Sequence, residues 1–312
     1  MSVILITGAA GAVGQAVLAE LATSGHDIIA TDIRPPADLP DNARFETLDV
    51  TGGDADRVIG AAKPDTVLHL ASIVTPPKGS DRAFEYRVDV TGTQNVLDAC
   101  VRHGVGRIVV TSSGAAYGYH ADNPVLLREG DRIRGNSAFP YAHHKRLVEE
   151  MLARARQTAP ALQQVVLRVG TVLGAGVENQ ITALFRKKRM LAVIGSDSPF
   201  VFIWTADLAR ILHRAATGGP AGIFNVAGDG AVGVPEIAAE LGKPVLRLPA
   251  WLLQVALAVA KPLGISRYGP EQVRFLQYRP VLDNTALKTC FGYTPEMNSL
   301  AVFRLWQKSA GL

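Results

Sequence analysis

This chain has little of what sulfur or metal chemistry requires. Among 312 residues only two are cysteine, Cys100 and Cys290. They lack the spacing of a metal site and are too few for a disulfide framework, which fits a reducing compartment. The seven histidines are scattered and never pair at i, i+4, so no metal site is expected. Charge of one sign is also scarce. The net charge is +4 and the only basic run is "RKKR" at 186–189; a solvated helix end, where cations suit the helix dipole, accounts for it. Nucleic acid is therefore not expected as a partner. No apolar run is long enough to span a bilayer: the longest, 248–260, contains Pro249 and Gln254. The first residues, "MSVILITG", enter a strand with no charged leader or cleavage pattern. The expected location is the cytoplasm.

What is present is a folded, enzyme-like composition, 48% hydrophobic and 19% charged, and enough length for one large α/β unit or two joined lobes. In the first half, runs rich in β-branched and aliphatic residues recur at 3–6, 28–31, 44–48, 66–70, 108–111 and 165–169. Helix-period segments at 12–24, 54–62, 83–103 and 141–155 lie between most of them. Continuous apolar strands alternating with helices predict an α/β fold, a doubly wound parallel sheet covered on both faces. Such sheets bind ligands at the carboxyl ends of their strands. After Gly170 the rhythm loosens. A helix at 180–188, a strand at 191–194, a β run at 200–204, a helix at 205–216 and the strand "IFNVAG" are predicted, and from Val234 the chain reads as mainly helical. The expected organisation is a dinucleotide-binding domain over 1–170 and a smaller, mainly helical substrate lobe over 171–312, partly interleaved with it.

The turn "ITGAAGAVG" joins the first strand to the first helix. Gly8, Gly11 and Gly14 allow a tight turn, close approach to a pyrophosphate and packing of helix on sheet. The helix N-terminus then offers free N–H groups to an anion. Asp32 ends the second strand, where a carboxylate accepts hydrogen bonds from ribose hydroxyls and repels a 2′-phosphate. That favours NAD over NADP, although Arg34 is a competing cue. Asp49 is read either as a partner of the adenine amino group or as a cap before the next helix. In "PYAHHK", Tyr141 and Lys145 are four residues apart and share a helix face, with His143 and His144 expected on the flank. A phenol beside an ammonium is a candidate general base, its proton affinity lowered toward working range.

The set Thr7-Gly-x-x-Gly-x-x-Gly14, "HLAS" (69–72), "VTSSGAAYG" (110–118) and "YAHHK" resembles the extended short-chain dehydrogenase/reductases, the NAD-dependent epimerase/dehydratase family. "FIWTADLA" and "FNVAGDG" look like later landmarks of the same family. The resemblance implies a Rossmann-type sheet and a catalytic trio of Ser113, Tyr141 and Lys145. It implies cofactor contacts from Gly8, Ala10, Gly11, Ala12, Val13 and Gly14 in the turn. Asp32, Ile33, Arg34, Asp49 and Val50 would meet the adenosine half; Leu70, Ala71, Ser72, Thr111 and Arg168 would complete the site with Tyr141 and Lys145. Substrate contacts are expected from Ser113, Tyr117, Phe200 and Trp204, and a homodimer pairing the helices at 83–103 and 141–155 is implied.

Departures from the family pattern narrow the activity. Gly114 and Ala115 stand where dehydratases carry Asp-Glu, which disfavours elimination of water. Phe200 stands where nucleotide-sugar members place a diphosphate-clamping arginine, with Arg186 or Lys187 as possible substitutes. The segments 168–174 and 249–260 are apolar and suggest a hydrophobic alcohol or ketone, or else ordinary core. Asp89 replaces a common asparagine and receives no role. The expectation is an NAD-dependent oxidoreductase converting a secondary alcohol and a ketone. A nucleotide-sugar epimerase and a non-enzymatic dinucleotide sensor are the alternatives.

Overall fold

The computed structural model describes residues 2–76, 80–266 and 269–312. The first half runs β1 (Val3–Thr7), α1 (Ala12–Leu21), β2 (Asp27–Asp32), β3 (Ala43–Thr47), α2 (Asp54–Ala62) and β4 (Thr66–His69). One long helix follows in three parts: α3 (Arg82–Tyr86), a π-helical stretch (Arg87–Thr91) and α4 (Gly92–Arg102). Then come β5 (Arg107–Ser113), a 3-10 turn (Gly114–Tyr117), α5 (Pro140–Thr158) and β6 (Gln163–Val169). The second half contains β7 (Thr171–Leu173), α6 (Gln180–Phe185), β8 (Met190–Val193), β9 (Phe202–Trp204), α7 (Thr205–Thr217) and β10 (Gly222–Val226). It ends with α8 (Val234–Glu240), β11 (Val245–Leu248), α9 (Ala250–Ala260), α10 (Gln272–Gln277), α11 (Thr285–Thr289) and α12 (Ser299–Ser309).

Seven strands form one parallel sheet in the order β10-β6-β5-β4-β1-β2-β3. Strand periodicity divides its side chains between two cores. Ile4 and Ile6 of β1 face a layer built with Val17, Leu18 and Leu21 of α1 and Leu208, Ile211 and Leu212 of α7. Leu5 faces the opposite layer, with Val58 and Ile59 of α2, Val96 and Leu97 of α4, and Val148 and Leu152 of α5. The order of strands reverses between β1 and β4, so the carboxyl ends of those strands open a crevice there. The chain returns to this sheet after β7: α7 packs beside α1 and β10 extends the edge next to β6.

The remaining segments build a smaller body of helices with two short parallel sheets, β8 with β11 and β7 with β9. β7 and β11 are absent from the sequence expectation, and α6 stops at Phe185 rather than Lys188. Its core is aromatic. Phe185, fully buried, meets Phe200 at 5.5 Å, Phe303 at 5.3 Å and Trp306 at 5.5 Å between ring centroids. The uncharged helix α9 behaves differently. Only Leu253 is buried along it, and Trp251 is 64% exposed. Apart from Leu253, which joins Val193 and Val273 in a small core, most of its apolar side chains face outward. No described helix is long and apolar enough to cross a membrane.

One ion pair ties α5 to the sheet. Arg168 of β6 donates from Nε to both carboxylate oxygens of Glu149, each at 3.0 Å, and from Nη2 at 2.6 Å, both side chains being about nineteen-twentieths buried. Ser112 of β5 donates to Glu149 Oε1 at 2.5 Å. Removing one partner leaves a buried charge uncompensated. Glu149→Ala should therefore lower the unfolding free energy by about 3–5 kcal/mol, measured by urea denaturation.

Candidate functional site

The glycine-rich turn between β1 and α1 owes its shape to two positions. Gly8 has φ +74°, and a Cβ there would lie 2.6 Å from Ala71 N. A Cβ at Gly14 would lie 2.4 Å from Gly8 O, so α1 packs against the turn only without one. Gly11 N donates back to Gly8 O at 3.1 Å. Gly11 caps α1 with no side-chain hydrogen bond, and Ala12 and Val13 open the helix in the partly exposed first turn. This cradle suits a pyrophosphate. Asp32 ends β2 beside it: Oδ2 accepts from Ala10 N at 3.1 Å and Oδ1 from Ile33 N at 2.8 Å. Ile33 and Arg34 are exposed. Asp49 Oδ1 accepts from both the N–H and the hydroxyl of Thr51 at 2.8 Å, a local turn and not the cap of α2, whose N-cap is Gly53 with no side-chain bond; Val50 is buried beneath α4. These residues fit the adenosine and diphosphate halves of a dinucleotide.

The carboxyl end of β4 adds His69 to Ser72. His69 is buried between Thr7 Oγ1 (2.8 Å) and Thr93 Oγ1 (2.9 Å). Burial holds its proton affinity down to about 3, with the Lys145 charge acting in the same direction. Leu70 N and Ala71 N donate to the Thr7 carbonyl (3.1 Å) and hydroxyl (3.4 Å). These contacts fix the floor of the crevice.

Ser113, Tyr141 and Lys145 meet at the carboxyl end of β5. Pro140 starts α5 at a position where the missing N–H costs nothing. The helical period then places Tyr141, Lys145, Val148, Glu149 and Leu152 along one face. Lys145 Nζ donates to Thr111 O at 2.9 Å and lies 5.5 Å from the centre of the Tyr141 ring. The Ser113 side chain acts on the Tyr141 phenol, lowering its proton affinity. Burial pushes the phenol well above its ordinary value, Ser113 pulls it back, and the charges of Asp89 and Tyr119 add to the rise. Burial pulls Lys145 below its ordinary value, while Asp89 and Glu149 push it up. The expected lowering of Tyr141 by Lys145 is thus corrected. In the free protein desolvation prevails.

Other expectations change as well. Arg168 is not at the cofactor: its donors go to Glu149, the Tyr117 hydroxyl (2.8 Å) and Glu129 O (2.9 Å). Tyr117 is fully buried and donates to Arg128 O and Asn225 Oδ1 at 2.9 Å, so it is core rather than a substrate contact. Phe200 is core as well, stacked at 5.8 Å on Phe202. Trp204 is half-buried, with the Arg210 guanidinium 5.4 Å over its ring. A cleft of about 430 Å³ beside the start of α5 is lined by Asn136, Phe139, Gln254, Glu271 and Arg274, not by Phe200, Trp204 or Trp251. His144, expected on the flank, is 3% exposed and hydrogen-bonds Asp89 through Nδ1 at 2.9 Å. His143 does stay on the flank, half-buried beside Arg146 at 3.1 Å.

Arg279 is a further charged group near the site. Its guanidinium lies 3.9 Å over the Phe200 ring and 4.8 Å over Phe275. It donates to the Ser198 carbonyl, its Nε has no partner, and no carboxylate pairs with it among the described residues. Burial holds its proton affinity down to about 9. Tyr119 connects it to the trio: its ring meets Phe275 at 5.3 Å and Phe139, just before α5, at 4.9 Å. An arginine before proline carries no local signal of such isolation. Among the described residues no cluster of His, Cys, Asp and Glu could hold a metal ion.

Comparison with known proteins agrees with this fold. An uncharacterized protein of Mycobacterium tuberculosis is 24% identical over 317 residues, covering 99% of this chain and 84% of its own length. A 2-alkyl-3-oxoalkanoate reductase of Stenotrophomonas maltophilia is 28% identical over 226 residues, 68% of this chain and 64% of that protein. Among solved structures, MoeE5 in complex with UDP-glucuronic acid and NAD superposes with a TM-score of 0.76 at 24% identity, covering 99% of this chain and 98% of the other. A UDP-glucose 4-epimerase of Thermotoga maritima with UDP-glucose gives 0.75 at 21% identity over 99% and 98%. These likenesses show a shared fold. Residues 4–227, more than half the chain, match a family as a whole: the protein belongs to the NAD dependent epimerase/dehydratase family.

Proposed function

We propose that this protein is an NAD-dependent oxidoreductase that interconverts a secondary alcohol and a ketone on a largely apolar small molecule. The observation that carries the reading is the meeting of Ser113, Tyr141 and Lys145 at the end of β5, on the crevice that the glycine turn and Asp32 border. When bound, NAD would supply the two-electron acceptor and a positive charge. Tyr141 then takes the hydroxyl proton as the alcohol is oxidised and returns it when the ketone is reduced. Ser113 donates a hydrogen bond to the substrate oxygen, and Lys145 holds its charge beneath the phenol. Asp32, with two N–H groups on its carboxylate, favours NAD over its 2′-phosphorylated form. The Stenotrophomonas relative, named for a 3-oxo acid, supports a ketone on an alkyl chain.

A second reading, a nucleotide-sugar epimerase, is favoured by one observation. Arg279 is a partly buried guanidinium whose Nε is buried without a partner and which has no carboxylate partner among the described residues, and an anionic substrate group would complete it.

Three outcomes follow. Tyr141→Phe should lower kcat by roughly 10²–10⁴-fold with NAD affinity near its original value, read by titration of bound dinucleotide. Because burial raises the Tyr141 phenol, alcohol oxidation, which needs the phenolate, should speed up as pH rises from neutrality. Ketone reduction, which needs the phenolic proton, should slow; initial rates in both directions check this. Arg279→Met separates the two readings. Under the first, reduction of an uncharged apolar ketone persists in the variant. Under the second, the wild type binds UDP-glucose in calorimetry, the variant loses that binding, and neither oxidises simple alcohols.

A further inference from the structure

Helix α9 is apolar nearly all round, yet the protein covers only one side of it. Ala250, Leu253 and Leu257, spaced three and four apart, pack with Val193, Leu248 and Val273. The opposite face carries Trp251, Leu252, Val255 and Val259, and the turn that follows adds Leu263 and Ile265. All six are exposed, Val255 and Val259 to 55% and Ile265 to 76%. A single outward apolar side chain is ordinary, whereas a continuous patch marks a surface that something else buries. A helix apolar on every side belongs in a core or in lipid. Its 11 residues reach only about 16 Å along the axis, against about 30 Å for a bilayer core. Such a helix can lie on a membrane and cannot cross one.

The charge around the patch decides between occupants. Lys243, Arg247, Lys261 and Arg267 are the charged residues between 241 and 270, and the stretch holds no carboxylate. Arg247, exposed on β11 three residues before α9, has no carboxylate partner among the described residues. Lys261 ends the helix, half exposed, and bonds Glu271 at 3.0 Å. A second copy docked here about a two-fold axis would set like patch on like patch, and so cation against cation around an apolar centre. An anionic lipid surface meets the same cations with opposite charge. Trp251, in the first turn, suits the headgroup boundary, where an apolar ring with one polar N–H is at home.

We propose that α9 and the turn after it form a peripheral docking surface for anionic lipid. Trp251, Val255 and Val259 lie at the acyl boundary, and Arg247 and Lys261 meet the headgroups. The surface adjoins the candidate site: Gln254, on the flank of α9, lines the cleft beside the start of α5 with Phe139 and Arg274. Docking therefore brings the mouth of that cleft to the lipid edge, where an apolar alcohol or ketone is concentrated. That consequence rests on the proposed activity; the docking itself does not.

The test is flotation of the full-length protein with vesicles of phosphatidylglycerol and phosphatidylcholine in equal parts, and with phosphatidylcholine alone. Wild type should float with the first, come off as salt screens the headgroups, and bind the second about tenfold more weakly. Tryptophan emission should shift to the blue on binding. Of the three tryptophans Trp306 is buried and Trp204 half-buried, so the shift reports Trp251. Val255→Glu places a charge in the patch and should abolish flotation, while Arg247→Gln should weaken it roughly fivefold. Flotation of Val255→Glu at the wild-type level, equal binding to both vesicles, or no flotation of the wild type overturns the proposal. So does a wild-type dimer in light scattering that Val255→Glu converts to monomer, since a second copy would then be the occupant. Melting curves check the fold. Should Val255→Glu not fold, Val259→Glu on the same face takes its place, with the same loss expected and the same persistence fatal. Binding is read without turnover, so a wild type that oxidises no alcohol would sink the oxidoreductase reading and leave the docking surface standing.

Discussion

The site depends on the buried bridge between Glu149 and Arg168. It contributes little net stability in a dry interior, because desolvating two charges offsets most of their attraction. Its effect is geometric. Arg168 comes from β6, Glu149 from α5 and the additional donor Ser112 from β5, so α5 can dock on the sheet in one rotation only. Tyr141 lies two turns and Lys145 one turn before Glu149 on that helix. The orientation of the phenol over the crevice is thus set from below by groups that never reach it.

What the sequence made legible was carried by spacing. Two-residue alternation sorted Ile4, Leu5 and Ile6 between opposite layers. The glycine trio marked a turn whose closeness to Ala71 excludes a side chain at Gly8. Four-residue spacing put Tyr141 and Lys145 together. Features that need a distant partner could not be read so. Arg168 was assigned to the cofactor because its partner lies 19 residues away on another element. Phe200 looked like a pocket wall because composition does not say which of several aromatic faces will cover it. The same limit misplaced α9: apolar residues suggested a lining or a core, while the fold leaves them facing outward.

The chemistry of the crevice is a balance of desolvation against a few fixed charges. Burial moves Tyr141 up and Lys145 down, both toward their neutral forms. Ser113 at Tyr141, and the charges of Asp89 and Glu149 at Lys145, act against this drift.

The π-helical stretch has a consequence for how this protein is compared with others. Such a stretch equals a single extra residue accommodated within an otherwise regular helix, and in a gene that is one inserted or deleted codon. On either side of it, the same spacing rule assigns side chains to faces about 100° apart. Alignments that pass through 82–102 without a gap can therefore match Asp89 with residues that point to solvent in their own folds. Searching for the same acid in related chains requires superposed coordinates or a one-residue offset at this point.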